Sequence, residues 1–205
     1  MRRARFVNRL DPSTPAVRDD ATVIEQSWRD PERFAELFDR HAPHIHRYVA
    51  RRLGPRAAAD VVAETFLTAF GKRRGYDRAR RDARPWLYGI ATNLVGQHRR
   101  DELRRLRIQQ ALPADPADAG PADRVAARVT AEAVRHLLAD ALAGLSAGDR
   151  DVLVLVAWEQ LSYQEVAVAL GIPAGTVRSR LNRARTKVRA ALGDADPTRT
   201  GEGRA

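Results

Sequence analysis

The sequence predicts an all-α protein made of two small helical domains joined by a flexible linker. Three observations carry that prediction. Ala, Leu, Glu and Arg abound while strand-like alternation is scarce. Apolar residues recur at helical spacing in two separate blocks, residues 21–107 and 125–192. Between them, residues 108–124 form a Pro/Ala/Asp tract with no apolar period, the composition of a partly extended linker.

The whole-chain balance narrows the class further. The chain has 205 residues, a formal net charge of +10 and a pI near 11.1, which points to a polyanionic partner, nucleic acid before membrane. It contains no Cys, so a disulfide framework and a Cys-based zinc site are excluded, and a reducing cytoplasm is the expected compartment. No apolar run approaches the roughly 18 residues of a membrane span. The basic start, Met1 to Arg5, is not followed by the apolar core of a signal peptide.

Residues 1–20 mix Arg, Asp and turn formers and read as a disordered arm, either with phosphate-seeking arginines or as a passive tail. Ala21 to Trp28 predicts a short helix. Asp30 is expected to cap the next one, with Pro31 at its first position. Phe34, Leu37 and Phe38 recur at helical spacing, Pro43 interrupts, and Ile45, Tyr48, Val49 and Leu53 resume the stripe up to Gly54. Pro55 opens another helix whose inner face is Val61, Val62, Thr65, Phe66, Ala69 and Phe70. A polar loop from Gly75 to Arg84 carries Tyr76, Arg78, Arg80 and Arg81. Pro85 then starts a long helix through Trp86, Leu87, Ile90, Leu94 and Val95 into the basic run up to Arg107.

The second block predicts four helices. The first runs from Val125 to Ala143. The next has Ser146 as cap and Val152, Leu153, Leu155 and Val156 as core. The last two surround a tight turn. Ser162 and Glu165 form a capping box, Gly171 supplies the left-handed stop, and Pro173 keeps the helix from running on. Gly175 or Thr176 starts the final helix, with Val177, Leu181 and Ala184 turned inward. Arg178, Ser179, Asn182, Arg183 and Arg185 stay outside, and no acid lies between Arg178 and Arg189. This is a helix-turn-helix with a basic, amide-bearing outer face, the chemistry of a helix entering a major groove. After Leu192, residues 193–205 read as a disordered tail.

Catalytic chemistry finds no constellation. There is no Gly-rich phosphate cradle, no Cys nucleophile and no clustered carboxylate pair, so no catalytic residue, no metal site and no cofactor is expected. His41, His44 and His46 lie close in sequence but lack the His-x-x-x-His spacing with acidic support, and read as ordinary histidines. The stretch from Gly75 to Arg107 says more. It interleaves Tyr76, Trp86 and Tyr88 with many arginines and Asn93, as single-strand binders do, since unpaired bases stack on aromatics while cations follow the backbone. Trp86 and Tyr88 also fit as core residues; for Trp86 the two roles can coexist.

Three blocks now carry a family resemblance. Asp60 to Leu67 (DVVAETFL), Arg84 to Leu94 (RPWLYGIATNL), and Leu161 to Ala167 with Gly175 to Arg185 stand in one order and together resemble an extracytoplasmic-function (ECF) sigma factor of the bacterial sigma-70 family. The resemblance covers about residues 22–107 and 125–192. It implies that the first domain is sigma region 2, which docks on the β′ clamp helices of core RNA polymerase and captures flipped bases of the −10 element. It implies that the second is region 4, which reads the −35 element and sits on the β flap. It also implies an anti-sigma factor as a partner.

By position, the resemblance assigns Asp60, Glu64 and Phe66 to polymerase docking, with Ala63 replacing the family's usual Gln. It assigns Tyr76, Arg84, Trp86, Asn93, Gln97 and Arg100 to the −10 strand. Gly89 stands where the family often has Arg, and Gly96 and Gln97 vary with promoter preference. It assigns Thr176, Arg178, Ser179, Asn182, Arg183 and Arg185 to the −35 element, Arg185 and Lys187 serving phosphates. The alternative is a two-domain helix-turn-helix regulator that does not replace a sigma factor; Trp86 and Asn93 favour the sigma reading, because an effector domain has no need of them.

Overall fold

The computed structural model describes residues 19–111 and 131–192. Among these, eight α-helices follow one another: α1 (Asp20–Gln26), α2 (Ala35–Leu53), α3 (Pro55–Lys72), α4 (Arg84–Ala111), α5 (Ala131–Ala143), α6 (Ala147–Ala157), α7 (Tyr163–Leu170) and α8 (Ala174–Leu192). Short 3-10 turns occupy Pro31–Phe34 and Arg73–Gly75, and no strand occurs among the described residues. The expected arm up to residue 18, the tail from 193, and residues 112–130, which include the expected start of the fifth helix at Val125, lie outside the described residues.

α1 to α4 form the first bundle. α2 packs on α3, and both pack on α4. Leu37, Ile45 and Val49 of α2 meet Ala58, Val62 and Ala69 of α3 and Leu87, Ala91 and Val95 of α4, all buried. Each large apolar side chain so buried contributes roughly 1.5–3 kcal/mol. Gly54, at φ 84°, makes the sharp break between α2 and α3, and Pro55 opens α3 with φ preset for a helix.

Pro43 does not interrupt α2, contrary to the expectation from sequence: the helix runs through it to Leu53. Pro43 is exposed, and Leu37 and His41 before it and Ile45 after it are buried on one face. That continuous packed face outweighs the hydrogen bond a proline removes. Asp30 also departs from expectation. It makes no side-chain cap, and its carboxylate instead accepts from Arg33 Nε at 3.3 Å; Pro31 then opens a 3-10 turn, not an α-helix. The cap that does form is one element earlier, where Asp19 accepts from Thr22 N–H at 2.8 Å. Asp20, counted with the disordered arm from sequence, is a buried residue of α1. α4 continues to Ala111, past the expected linker start at residue 108.

Hydroxyls organise the contact between α2 and α4. Thr92 Oγ1 donates to the Tyr88 carbonyl at 2.7 Å, so the 2.6 Å contact between Tyr48 and Thr92 has Tyr48 as donor. The Tyr48 oxygen in turn accepts from Arg52 at 3.0 Å. Burial pushes the Tyr48 phenol up to about 12, with the Arg52 charge opposing it.

α5 to α8 form the second bundle, with α8 packed on α5, α6 and α7. Its core is Leu145, Val152, Leu155, Leu161, Val166, Val177, Leu181 and Ala184. Ser146 caps α6 by accepting from Asp149 N–H at 3.2 Å. The capping box is complete: Ser162 N–H donates to Glu165 at 2.7 Å, and Glu165 N–H donates to Ser162 Oγ at 3.3 Å. Gly171 takes the left-handed conformation, φ 62° and ψ 35°. α8 starts at Ala174, one residue before the earlier of the two expected starts, because the Pro173 carbonyl accepts from both Thr176 N–H at 2.9 Å and Val177 N–H at 3.1 Å.

The two bundles touch. α7 packs on α4, and buried residues of both bundles join in one apolar cluster. The flexible linker expected from the sequence does not by itself imply this contact.

Candidate nucleic-acid interface

Three surfaces bring the sequence-predicted residues together. The first is the loop before α4 with the helix itself. Tyr76 is buried; its ring lies 4.9 Å from that of Trp86, and its hydroxyl donates to the Arg80 carbonyl at 2.8 Å, with the Asp82 carbonyl at 3.1 Å. Tyr76 therefore shapes the loop from within, while Trp86 is half-buried and keeps part of its ring at the surface. Asn93, Gln97 and Arg100 are exposed and follow one another along one stripe of α4. Arg84 is half-buried, with Asp82 at 3.4 Å.

Asp20 pins this loop, and sequence reasoning missed it. Its carboxylate accepts from Ala83 N–H at 2.8 Å and from His41 Nε2 at 2.8 Å, and pairs with Arg40. Its own N–H donates to the Arg81 carbonyl at 3.0 Å. Burial pushes the Asp20 carboxyl up, but the hydrogen bonds from His41 and Ala83 and the charges of His41 and Arg40 outweigh it and hold the group below its ordinary value. Asp20, His41 and Asp82 bring ligand atoms within 4.8 Å of one another, yet the Asp20 oxygens are already engaged by these donors. The available signal was the Asp19-Asp20 pair directly ahead of a helical period, where a cap and a first-turn acid belong.

The loop arginines are paired. Arg78 meets Glu25, Arg80 meets Asp77 at 3.1 Å, Arg81 meets Asp19 at 3.9 Å, and Arg84 meets Asp82. Arg78 also lies over the Trp28 ring at 5.3 Å. Such exposed pairs are worth at most about 1 kcal/mol, so a phosphate can displace the carboxylate.

The second surface is α8. It carries Arg178, Arg180, Arg183, Arg185, Lys187 and Arg189 and no acid. Arg178, Ser179, Asn182, Arg183 and Arg185 are exposed, and Thr176 is half-buried at the helix start. Two of them have internal duties. Ser179 donates its hydroxyl to the Thr176 carbonyl at 3.0 Å, and Arg183 pairs with the buried Asp149 at 3.2 Å. Arg180 turns back onto α6, its guanidinium lying where any Gly148 side chain would stand.

The third surface is an apolar groove between α2 and α3, lined by Phe34, Phe38, Ala63, Phe66, Leu67 and Phe70. Asp60 and Glu64 are exposed along its α3 edge. Phe66, expected at the docking surface, is buried and holds Phe38 edge-on at 4.9 Å. The residue the groove presents is its neighbour Leu67, 71 % exposed, with Phe38 beside it at 44 %. The signal was an apolar residue one position off the inner face, in line with Asp60, Ala63 and Glu64.

A bundle with an arginine-rich, aromatic face, coupled to a bundle whose helix-turn-helix ends in an acid-free helix, has the layout of a two-domain promoter reader. Residues 37–105 match the Sigma-70 region 2 family and residues 135–188 match Sigma-70, region 4. The ECF RNA polymerase sigma factor SigL of Mycobacterium tuberculosis is 36 % identical over 164 residues, covering 80 % of this chain and 90 % of that protein. The RNA polymerase sigma factor CarQ of Myxococcus xanthus is 35 % identical over 164 residues, covering 80 % and 91 %. Among solved structures, CnrH in complex with the cytosolic domain of CnrY superposes with a TM-score of 0.60 at 28 % identity, covering 86 % of this chain and 98 % of that one. The chain belongs to the ECF sigma factors, the sigma-70-type subunits that direct RNA polymerase to promoters.

Proposed function

We propose that this sigma factor reads the −35 element with Arg178, Ser179 and Asn182 of α8, with Arg185 and Lys187 on phosphates. The exposed, acid-free face of α8 is the observation that supports this reading. Arg takes G bidentately and Asn takes A, each worth about 1–3 kcal/mol of discrimination. Arg183, already paired with Asp149, serves chiefly to seat the helix and adds a phosphate contact.

At the −10 element, Trp86 offers a stacking face, and Asn93, Gln97 and Arg100 line the path of the strand along α4. Tyr76 and Asp20 hold the loop that presents them. Extruding a base costs a few kcal/mol, so capture depends on the polymerase and on weak pairing in the promoter.

Core polymerase docks at the α2–α3 groove through Leu67 and Phe38, with Asp60 and Glu64 as polar flanks. An anti-sigma factor would compete for the same apolar groove. The chain itself supplies no catalytic group, and it works in the cytoplasm with polymerase; among the described residues no helix is long and apolar enough to cross a membrane. The deciding experiment adds the purified protein to sigma-free core polymerase and assays run-off transcription on genomic fragments. Specific transcripts are expected; none from any fragment, beside an active control sigma, would overturn the reading.

A further inference from the structure

The groove between α2 and α3 is apolar along its floor and acidic along its rim. Phe38 and Leu67 stand exposed in it. It runs on past Phe38 and Ala63 to Ala42, Ala59 and Val62. Glu32 and Asp39 line it, and Asp60 and Glu64 are exposed along its α3 edge. Among the described residues no Lys or Arg lines it, in a chain that has 36 of them and a net charge of +10. A groove of this kind selects a segment whose apolar side chains are flanked by cations.

The chain carries such a segment at its own start. Residues 1–10 (MRRARFVNRL) hold Phe6, Val7 and Leu10, spaced as one face of a helix, among Arg2, Arg3, Arg5 and Arg9, with no acid. They belong to residues 1–18, outside the described residues, and neither promoter reading nor polymerase docking makes use of them.

The segment is also tethered within reach. The described chain begins at Asp19, and its neighbour Asp20 pairs with Arg40 and His41 of α2. Phe38, Asp39 and Ala42, on the same turns of α2, line the groove. A helix with its side chains is about 10–12 Å across. Residues 11–18 span up to about 26 Å when extended. They are long enough to carry residues 6–10 round α2 and into the groove.

We propose that residues 1–10 seat in the α2–α3 groove of their own chain, with Phe6 and Leu10 against Phe38 and Leu67 and the arginines against Glu32, Asp39, Asp60 and Glu64. The seated arm and core polymerase exclude each other, a consequence that rests on the docking reading above. A short tether holds the arm near the groove at about millimolar effective concentration, so a weak intrinsic affinity keeps it filled. Polymerase must displace the arm, and its apparent affinity falls with the fraction of chains whose groove is open.

The test uses the full chain with a photoreactive p-benzoylphenylalanine in place of Phe6 in one preparation and of Val7 in another. After irradiation, mass spectrometry maps the crosslinks, and a mixture of natural and heavy-isotope chains separates own-chain from between-chain products. Own-chain crosslinks to Phe38, Ala63 or Leu67 are expected. Their yield should fall several-fold in Phe6→Ser with Leu10→Ser (probe at 7) and when Arg2, Arg3, Arg5 and Arg9 are all changed to Gln. The unprobed forms are then titrated with core polymerase. Both arm variants are expected to bind about tenfold more tightly than the parent, the result for an arm seated in about nine chains of ten. Crosslinks that map elsewhere, or only between chains, would overturn the proposal. Groove crosslinks with equal polymerase affinity in parent and variants would overturn the arm's competition with polymerase. Groove crosslinks in a chain that, with or without its arm residues, fails to bind core polymerase would count against the docking reading and leave the arm's seat standing.

Discussion

Asp20 and His41 meet at 2.8 Å inside the first bundle, carboxylate to ring nitrogen, and the same carboxylate holds the Ala83 N–H of the loop before α4. One side chain therefore joins α1, α2 and the loop that presents Trp86. A carboxylate only accepts, so Nε2 of His41 carries the hydrogen. Asp20→Asn is expected to cost about 3 kcal/mol, the scale for removing one partner of a buried pair. Urea unfolding of region 2 measures it. The pH dependence follows from the lowered Asp20 carboxyl: its stabilisation is complete above the unfolded value near pH 4 and is lost as pH falls through the lower folded value. Acid unfolding of Asp20→Asn should lack that component.

Leu67 and Phe66 separate packing from docking. Leu67→Asp changes a residue that is 71 % exposed and should leave thermal stability within about 0.5 kcal/mol. It should weaken binding to core polymerase by at least about tenfold, as loss of a central apolar anchor does. Phe66→Ala should instead destabilise the bundle by about 3–5 kcal/mol. Pairing calorimetric melting with a polymerase titration distinguishes them; a stable Leu67→Asp with unchanged polymerase affinity would move the docking surface elsewhere.

Arg178 and Arg183 are both exposed arginines of α8 and should fail in different ways. Arg178→Ala is expected to lose about 1–3 kcal/mol of discrimination between cognate and altered −35 duplexes, with no change in melting temperature. Arg183→Ala leaves the buried Asp149 without its ion pair. It should lower the melting temperature of region 4 and weaken all duplexes alike. Burial pushes the Asp149 carboxyl up, but the Ser146 and Arg183 contacts hold it below its ordinary value, so the pair's contribution also disappears as pH drops below about 4.

The capping box predicts its own cost. Ser162→Ala removes the acceptor for Glu165 N–H and should destabilise region 4 by about 1 kcal/mol. Ser162→Asp should retain most of that stability, since an acid also caps and favours a helix N-terminus. Chemical denaturation of the two variants makes the comparison.

What could be read in advance was what short-range rules govern. The box at Ser162 and Glu165, the left-handed Gly171 and the inner face Val177, Leu181 and Ala184 all depend on residues within one or two turns. Pro43 was misread because a local rule for proline was applied where the buried face of α2 decides. Asp20 escaped because its partners His41 and Ala83 lie 21 and 63 residues away. Gly89 stood out only as a departure from a pattern; its reason is the Ala169 carbonyl of another bundle. Within the site, Phe66 and Leu67 are neighbours that both line the groove, and only packing shows which one is buried and which is exposed.

The arginine-rich loop before α4 arrives with its own counter-charges. Arg78, Arg80, Arg81 and Arg84 each face a carboxylate, from Glu25, Asp77, Asp19 and Asp82. A strand that binds there exchanges partners with those acids, which stay nearby and keep repelling its phosphates. Four bare cations on a single strand would give a slope of about −2.8 in log affinity against log salt, from about −0.7 per phosphate neutralised. The loop should fall well short of that. Its grip on an opened strand is correspondingly less sensitive to ionic strength than its arginine content implies, whereas α8, with no acid along its length though with Arg183 facing Asp149 of α6, responds to salt more steeply.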